Sequence, residues 1–115
     1  MQEEIDLNIL NELKELMEDE FVVLLDAFIQ DGELRVEELK NAIVASDAEE
    51  VKKVAHSFKG SSSNLGVTLL SQECFKMETM GRDGQLMQAQ EQLERIEAAY
   101  LRSVSVLKQL IAESV

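Results

Sequence analysis

The chain has 115 residues, 45% of them hydrophobic, and a formal net charge of −12 at pH 7. That length suits one packed domain over residues 1–115 and is too short to hold a second, catalytic one, while the acidic balance argues against nucleic acid or an anionic membrane as a partner. The absence of proline, an aromatic content of 4% and plentiful Leu, Glu, Ala, Gln, Lys and Met favour helix throughout, and the single cysteine excludes an internal disulfide. The acidic start, MQEEID, lacks the basic and apolar regions of a secretion signal. No apolar run approaches the roughly 20 residues needed to span a bilayer, so a cytoplasmic location is expected.

In chain order, Ile5, Ile9, Leu10, Leu13, Leu16 and Met17 recur at helical spacing and predict a first amphipathic helix over about residues 5–18. Asp19 is placed to cap a second, in which Phe21, Leu24, Leu25, Phe28, Ile29, Val36, Leu39 and Ile43 keep one apolar face from Glu20 to about Ser46. Gly32 is its weak point, a site for a kink or a break, but the apolar phase resumes beyond it and predicts one continuous helix. Asp47 with Glu50 forms a capping box for a third helix over about 48–64. Gly66 then stands where a left-handed residue would end that helix, and Thr68 where a cap would start the fourth, over about 68–81. Leu69, Leu70, Cys74, Met77 and Met80 give that helix its apolar face, which makes Cys74 a core residue, and the GRDG turn ends it. A last helix over about 85–113 aligns Leu86, Ala89, Leu93, Ile96, Tyr100, Leu107, Leu110 and Ile111. At about 43 Å it is expected to outreach the bundle, its end projecting or packing on the first helix. Tight joints make neighbours antiparallel, so the predicted fold is all-α, an antiparallel four-helix bundle with an additional N-terminal helix.

The third helix carries the one histidine. With Val51 at zero on a wheel of about 100° per residue, Val54, Ala55, Phe58, Ser62 and Leu65 fall within about 60° of one another, and His56 falls at roughly 140°, on the polar side. Lys52 and Gly60 lie one turn from it and Lys59 three residues on. Between Glu50 and Glu73 there are three lysines, Lys52, Lys53 and Lys59, and no acidic residue, whereas the rest of the chain has 8 basic and 23 acidic residues. A cationic patch on so anionic a protein suits an anion or an acidic partner surface. Gly60 costs about 1 kcal/mol relative to alanine within a helix and is read as clearing backbone beside His56. Ser61, Ser62 and Ser63 continue that cleared surface as small hydrogen-bonding residues.

The run AHSFKGSSSNLG, residues 55–66, resembles the phosphoacceptor motif of histidine-containing phosphotransfer (HPt) domains. The resemblance continues through Leu70, Cys74, Met77, Glu78, Gly81 and Arg82, and upstream through Leu25, Phe28, Leu39, Ala42 and Asp47, so it covers most of the chain. Phe58, Val67 and Met77 depart from the residues usual in the family, all as apolar exchanges that touch packing and leave the chemistry alone. The resemblance implies a phosphorelay intermediate carrying a phosphoryl group on His56 between aspartates of receiver domains, those of hybrid sensor kinases and of response regulators. It implies phosphoryl support from Lys59 and Lys52, a docking surface at Gly60, Ser63 and Lys53, orientation of the imidazole by Glu78, and a monomer.

The chemistry of the residues agrees with a carrier. A solvent-facing imidazole with one neutral nitrogen is a competent nucleophile toward phosphorus, and phosphoryl transfer needs mainly positioning and charge neutralisation. The chain has no glycine-rich phosphate loop and no carboxylate cluster set to hold Mg²⁺ beside His56, so no cofactor is expected on it, and by resemblance the partner receiver brings both Mg²⁺ and acceptor aspartate. One His and one Cys on different helices make no zinc site, and no metal is expected. The rival role is a non-phosphorylated helical adaptor that binds a partner through the cationic face around His56.

Overall fold

The computed structural model describes residues 4–114, in which five helices follow in order: α1 Leu7–Met17, α2 Glu20–Val44, α3 Ala48–Asn64, α4 Thr68–Asp83 and α5 Ala89–Ser114. Each of α2 to α5 packs on the next in sequence and α5 closes back on α2, the cycle of an antiparallel four-helix bundle, while α1 lies on α2. The core runs through all four, from Phe21, Leu25 and Leu39 of α2 to Val51 and Phe58 of α3, Leu70 and Met77 of α4 and Leu93, Ile96 and Leu107 of α5. Phe58 stands at its centre, its ring 6.4 Å from that of Phe28 and 6.1 Å, edge-on, from that of Tyr100. The ring pairs explain how a phenylalanine fits this position.

Local sequence accounts for most boundaries. Asp6 accepts from Asn8 N at 3.0 Å and starts α1, and Asp47 accepts from Glu50 N at 3.1 Å and starts α3. Gly66 adopts φ 74 after α3, a conformation that costs glycine nothing, and its carbonyl accepts from Asp6 N at 2.7 Å. Through that bond, and through Leu69 N donating to Glu4 O at 3.2 Å, the chain before α1 is tied to the α3–α4 turn.

Several boundaries differ from expectation. Asp19 does not cap α2 through its side chain, because its backbone is already helical, with φ −63 and ψ −27, instead of the extended form a capping side chain requires. Thr68 does not cap α4 either: its hydroxyl turns back to donate to Gly66 O at 3.2 Å, and Val67 holds the cap position. The fourth helix runs on to Asp83 and ends at Gly84 in the left-handed conformation, so Gly81 lies inside the helix and not in a turn. The last helix begins at Ala89 and not near residue 85. At 26 residues it is about 39 Å long, and its last turn, at Glu113 and Ser114, lines one open cleft with Lys14, Glu18 and Asp19 where α1 gives way to α2.

Two buried glycines set helix spacing. Gly32 leaves α2 unbroken, and a Cβ there would clash with the edge of the Tyr100 ring. The Tyr100 hydroxyl donates to Ile29 O one turn away. A Cβ on Gly81 would lie 2.6 Å from Lys52 N and 2.8 Å from Ala48 O, so α4 touches the backbone of α3 at this turn. That contact fixes how close the two helices stand beside the histidine.

Candidate functional site

His56 projects from the exposed face of α3, its side chain 68% accessible, opposite the buried stripe of Val51, Val54, Ala55, Phe58 and Ser62. Across the α3–α4 groove Glu78 meets it: the imidazole Nδ1 lies 3.0 Å from Glu78 Oε2. Glu78 is itself almost wholly covered, with its side chain 8% exposed. Lys59 Nζ stands 2.7 Å from the other oxygen, Oε1, off the line of a well-directed hydrogen bond, and so acts as a close charge. Arg82, one turn beyond Glu78 on α4, donates from Nη2 to Oε2 at 3.3 Å.

Burial alone would raise the Glu78 carboxyl, but the close Lys59 ammonium and the imidazole of His56 outweigh it and hold it below the usual carboxylate range. Glu78 is therefore a carboxylate at neutral pH and can only accept. The hydrogen of this contact belongs to Nδ1, and in the neutral ring the lone pair sits on Nε2. The cationic groups Lys59 and Arg82 outnumber the one buried carboxylate, which leaves the corner around the imidazole net positive.

The remaining sequence candidates separate according to the helical wheel. Lys59 leans toward α4 and joins the Glu78 cluster. Lys52, on the same flank two turns earlier, pairs with Glu49 at 3.1 Å instead. Lys53 falls on the flank away from α4 and is exposed, as are Gly60 and Ser63, and a Cβ on Gly60 would meet no atom within 4 Å. The serines do not form one surface: Ser62 is fully buried in the stripe and Ser61 donates to Phe58 O at 3.2 Å, so only Ser63 is exposed beside Gly60. Two neighbours of the site were not singled out from the sequence as functional, Arg82 and the half-exposed Phe75. The signal for both was the spacing from Glu78, i+4 and i−3, which puts all three on one face of α4. Cys74 points the other way, fully buried, with its thiol pushed well up by burial first and by the charge of Glu73 second. It is a core residue.

Residues 23–113 match the Hpt domain family, and the chain belongs to that family. It is a histidine phosphotransfer relay intermediate, one of the phosphocarrier proteins that partner with receiver domains. A solved structure, that of histidine-containing phosphotransfer protein B (HptB) from Pseudomonas aeruginosa PAO1, superposes on it with a TM-score of 0.95 at 38% sequence identity, covering 98% of each chain. A comparison with curated proteins gives no significant match. Among the described residues no helix is long and apolar enough to cross a membrane.

Proposed function

We propose that His56 is the residue that accepts and passes on the phosphoryl group, exchanging it in the cytoplasm with aspartates of receiver domains in hybrid sensor kinases and response regulators. The observation that carries this reading is the Glu78 contact, which occupies Nδ1 and turns Nε2 outward on an exposed ring. In the step, the Nε2 lone pair attacks phosphorus of a receiver aspartyl phosphate. The N–P bond forms, the P–O bond to aspartate breaks, and its electron pair leaves with the aspartate carboxylate. The hydrogen stays on Nδ1 and remains donated to Glu78, whose negative charge offsets the positive charge that the ring gains. Transfer onward reverses these bonds at an acceptor aspartate and returns the pair to Nε2. Lys59 supports the phosphoryl oxygens by charge, while the open turn at Gly60 gives the partner's backbone room. Both Glu78 oxygens are already engaged by Lys59, His56 and Arg82, which favours a carrier whose metal ion and acceptor aspartate come with the receiver.

Intact mass after incubation with a phosphorylated receiver domain tests the assignment. Wild type is expected to gain one phosphoryl group and His56→Gln none, with the melting temperature of the variant nearly unchanged because the side chain is exposed. Label that persists in His56→Gln would overturn it.

A further inference from the structure

Phe75 is a large apolar side chain left half exposed, at 50%, on the one face of α4 that carries Glu78 and Arg82. It is not part of the core cluster, so folding does not account for it. What it touches is Lys59, whose ammonium lies 5.2 Å from the ring centroid while also standing 2.7 Å from Glu78 Oε1. Only 28% of the Lys59 side chain is exposed. A lysine on an exposed helix face ordinarily samples many rotamers, since its compact, strongly hydrated charge sits on four flexible carbons. Here an aromatic face closes one side of that space and a buried carboxylate the other. Ser71 closes the base, donating to the Lys59 carbonyl at 3.3 Å.

We infer that Phe75 is a positioning residue for phosphoryl transfer: its ring holds the Lys59 ammonium at the Glu78 corner, beside the imidazole, so that the charge is in place before a phosphoryl group arrives. A cation over an aromatic ring at an exposed site is worth enough to change a rate by about two- to fivefold if that placement is needed in the transition state. The inference rests on the reading of His56 as the phosphoacceptor.

The test uses phosphoramidate, a small phosphodonor that needs no docked protein, and follows phosphohistidine formation on the full chain. Phe75→Leu is expected to slow it about two- to fivefold with an unchanged melting temperature, and Phe75→Trp, which keeps an aromatic face, to restore it. In a Lys59→Ala background Phe75→Leu should add nothing, as required of a residue that acts through the lysine. Independently of activity, the ring-current shift of the Lys59 ε-methylene protons should be present in wild type and lost in Phe75→Leu. An unchanged rate in Phe75→Leu, or the same slowing with and without Lys59, overturns the positioning role; the second result would make the ring a direct contact of the phosphodonor. A wild type that takes no phosphoryl from phosphoramidate or from a receiver overturns the reading of His56 and this proposal with it, whereas a labelled wild type with an indifferent Phe75 overturns this proposal alone.

Discussion

Gly60 of α3 and Gly81 of α4 lie on the same helix pair and meet opposite surroundings. Around Gly60 there is open space, one turn from His56 on the face proposed to receive a partner; around Gly81 there is the backbone of Ala48 and Lys52. The first glycine keeps a surface clear and the second brings two helices into contact. On the proposed reading, function and stability are held by different turns of one helix pair, and substitutions at the two should separate them.

The largest effect is expected at Gly81. The atoms in the way of a Cβ there belong to backbone and cannot swing aside, so Gly81→Ala should cost about 3 kcal/mol, at the upper end for overpacking, and lower the melting temperature by about 10–15 °C. A thermal melt within a few degrees of wild type would remove the distinction between the two glycines.

Glu78, between the tight turn and the open face, comes next. Its carboxyl titrates lower in the folded chain than its ordinary value of 4.5, so the stabilisation it gives is fully present above that pH and is lost as the pH falls through the lower folded value. Glu78→Gln should lower stability at pH 7 by about 1–2 kcal/mol once solvent screening of its exposed partners is allowed for, and the gap from wild type should close as the pH falls below 4.5 and through the lower folded value. Urea melts of both proteins at neutral and acid pH check this; an equal gap at both would mean that Glu78 stabilises through shape and not charge.

The smallest effect belongs to Gly60. Gly60→Ala should raise stability by up to about 1 kcal/mol, since an interior helical glycine is replaced with no steric conflict, while Gly60→Gln should keep the fold and weaken receiver binding. Melts and a receiver titration measure the two directions. If Gly60→Gln binds like wild type, the partner does not approach over this turn.

The bundle and its histidine face were legible in the sequence because both follow from periodicity. Val54, Ala55, Phe58, Ser62 and Leu65 repeat at helical spacing, and one such stripe both buries one side of a helix and exposes the other. Phe58 shows the limit of this reading: its burial was visible, but its aromatic partners, Phe28 and Tyr100, come from helices far away in the chain. The Glu78 cluster shows it again. The segment around His56 contains no acidic residue, yet α4 delivers a buried carboxylate into it from twenty-two residues away, which no local charge count reveals. Gly81 was read as a turn glycine because GRDG carries two glycines, and only the close approach of α3 tells which of them ends the helix.

The packing of Tyr100 against Gly32 also gives the molecule a built-in optical reporter. The chain has one tyrosine and no tryptophan, so phenolate absorption reports on a single ring wedged between α2 and α5. Burial first, and the charge of Glu33 second, push that phenol up to about 12 from its ordinary 10.0. Because the folded value is the higher one, the stability associated with it is present below pH 10 and drains away as the pH rises toward 12. An alkaline titration in which colour appears near 10 would thus record helices that have already parted, and one in which it appears near 12 an intact bundle, without any label on the protein.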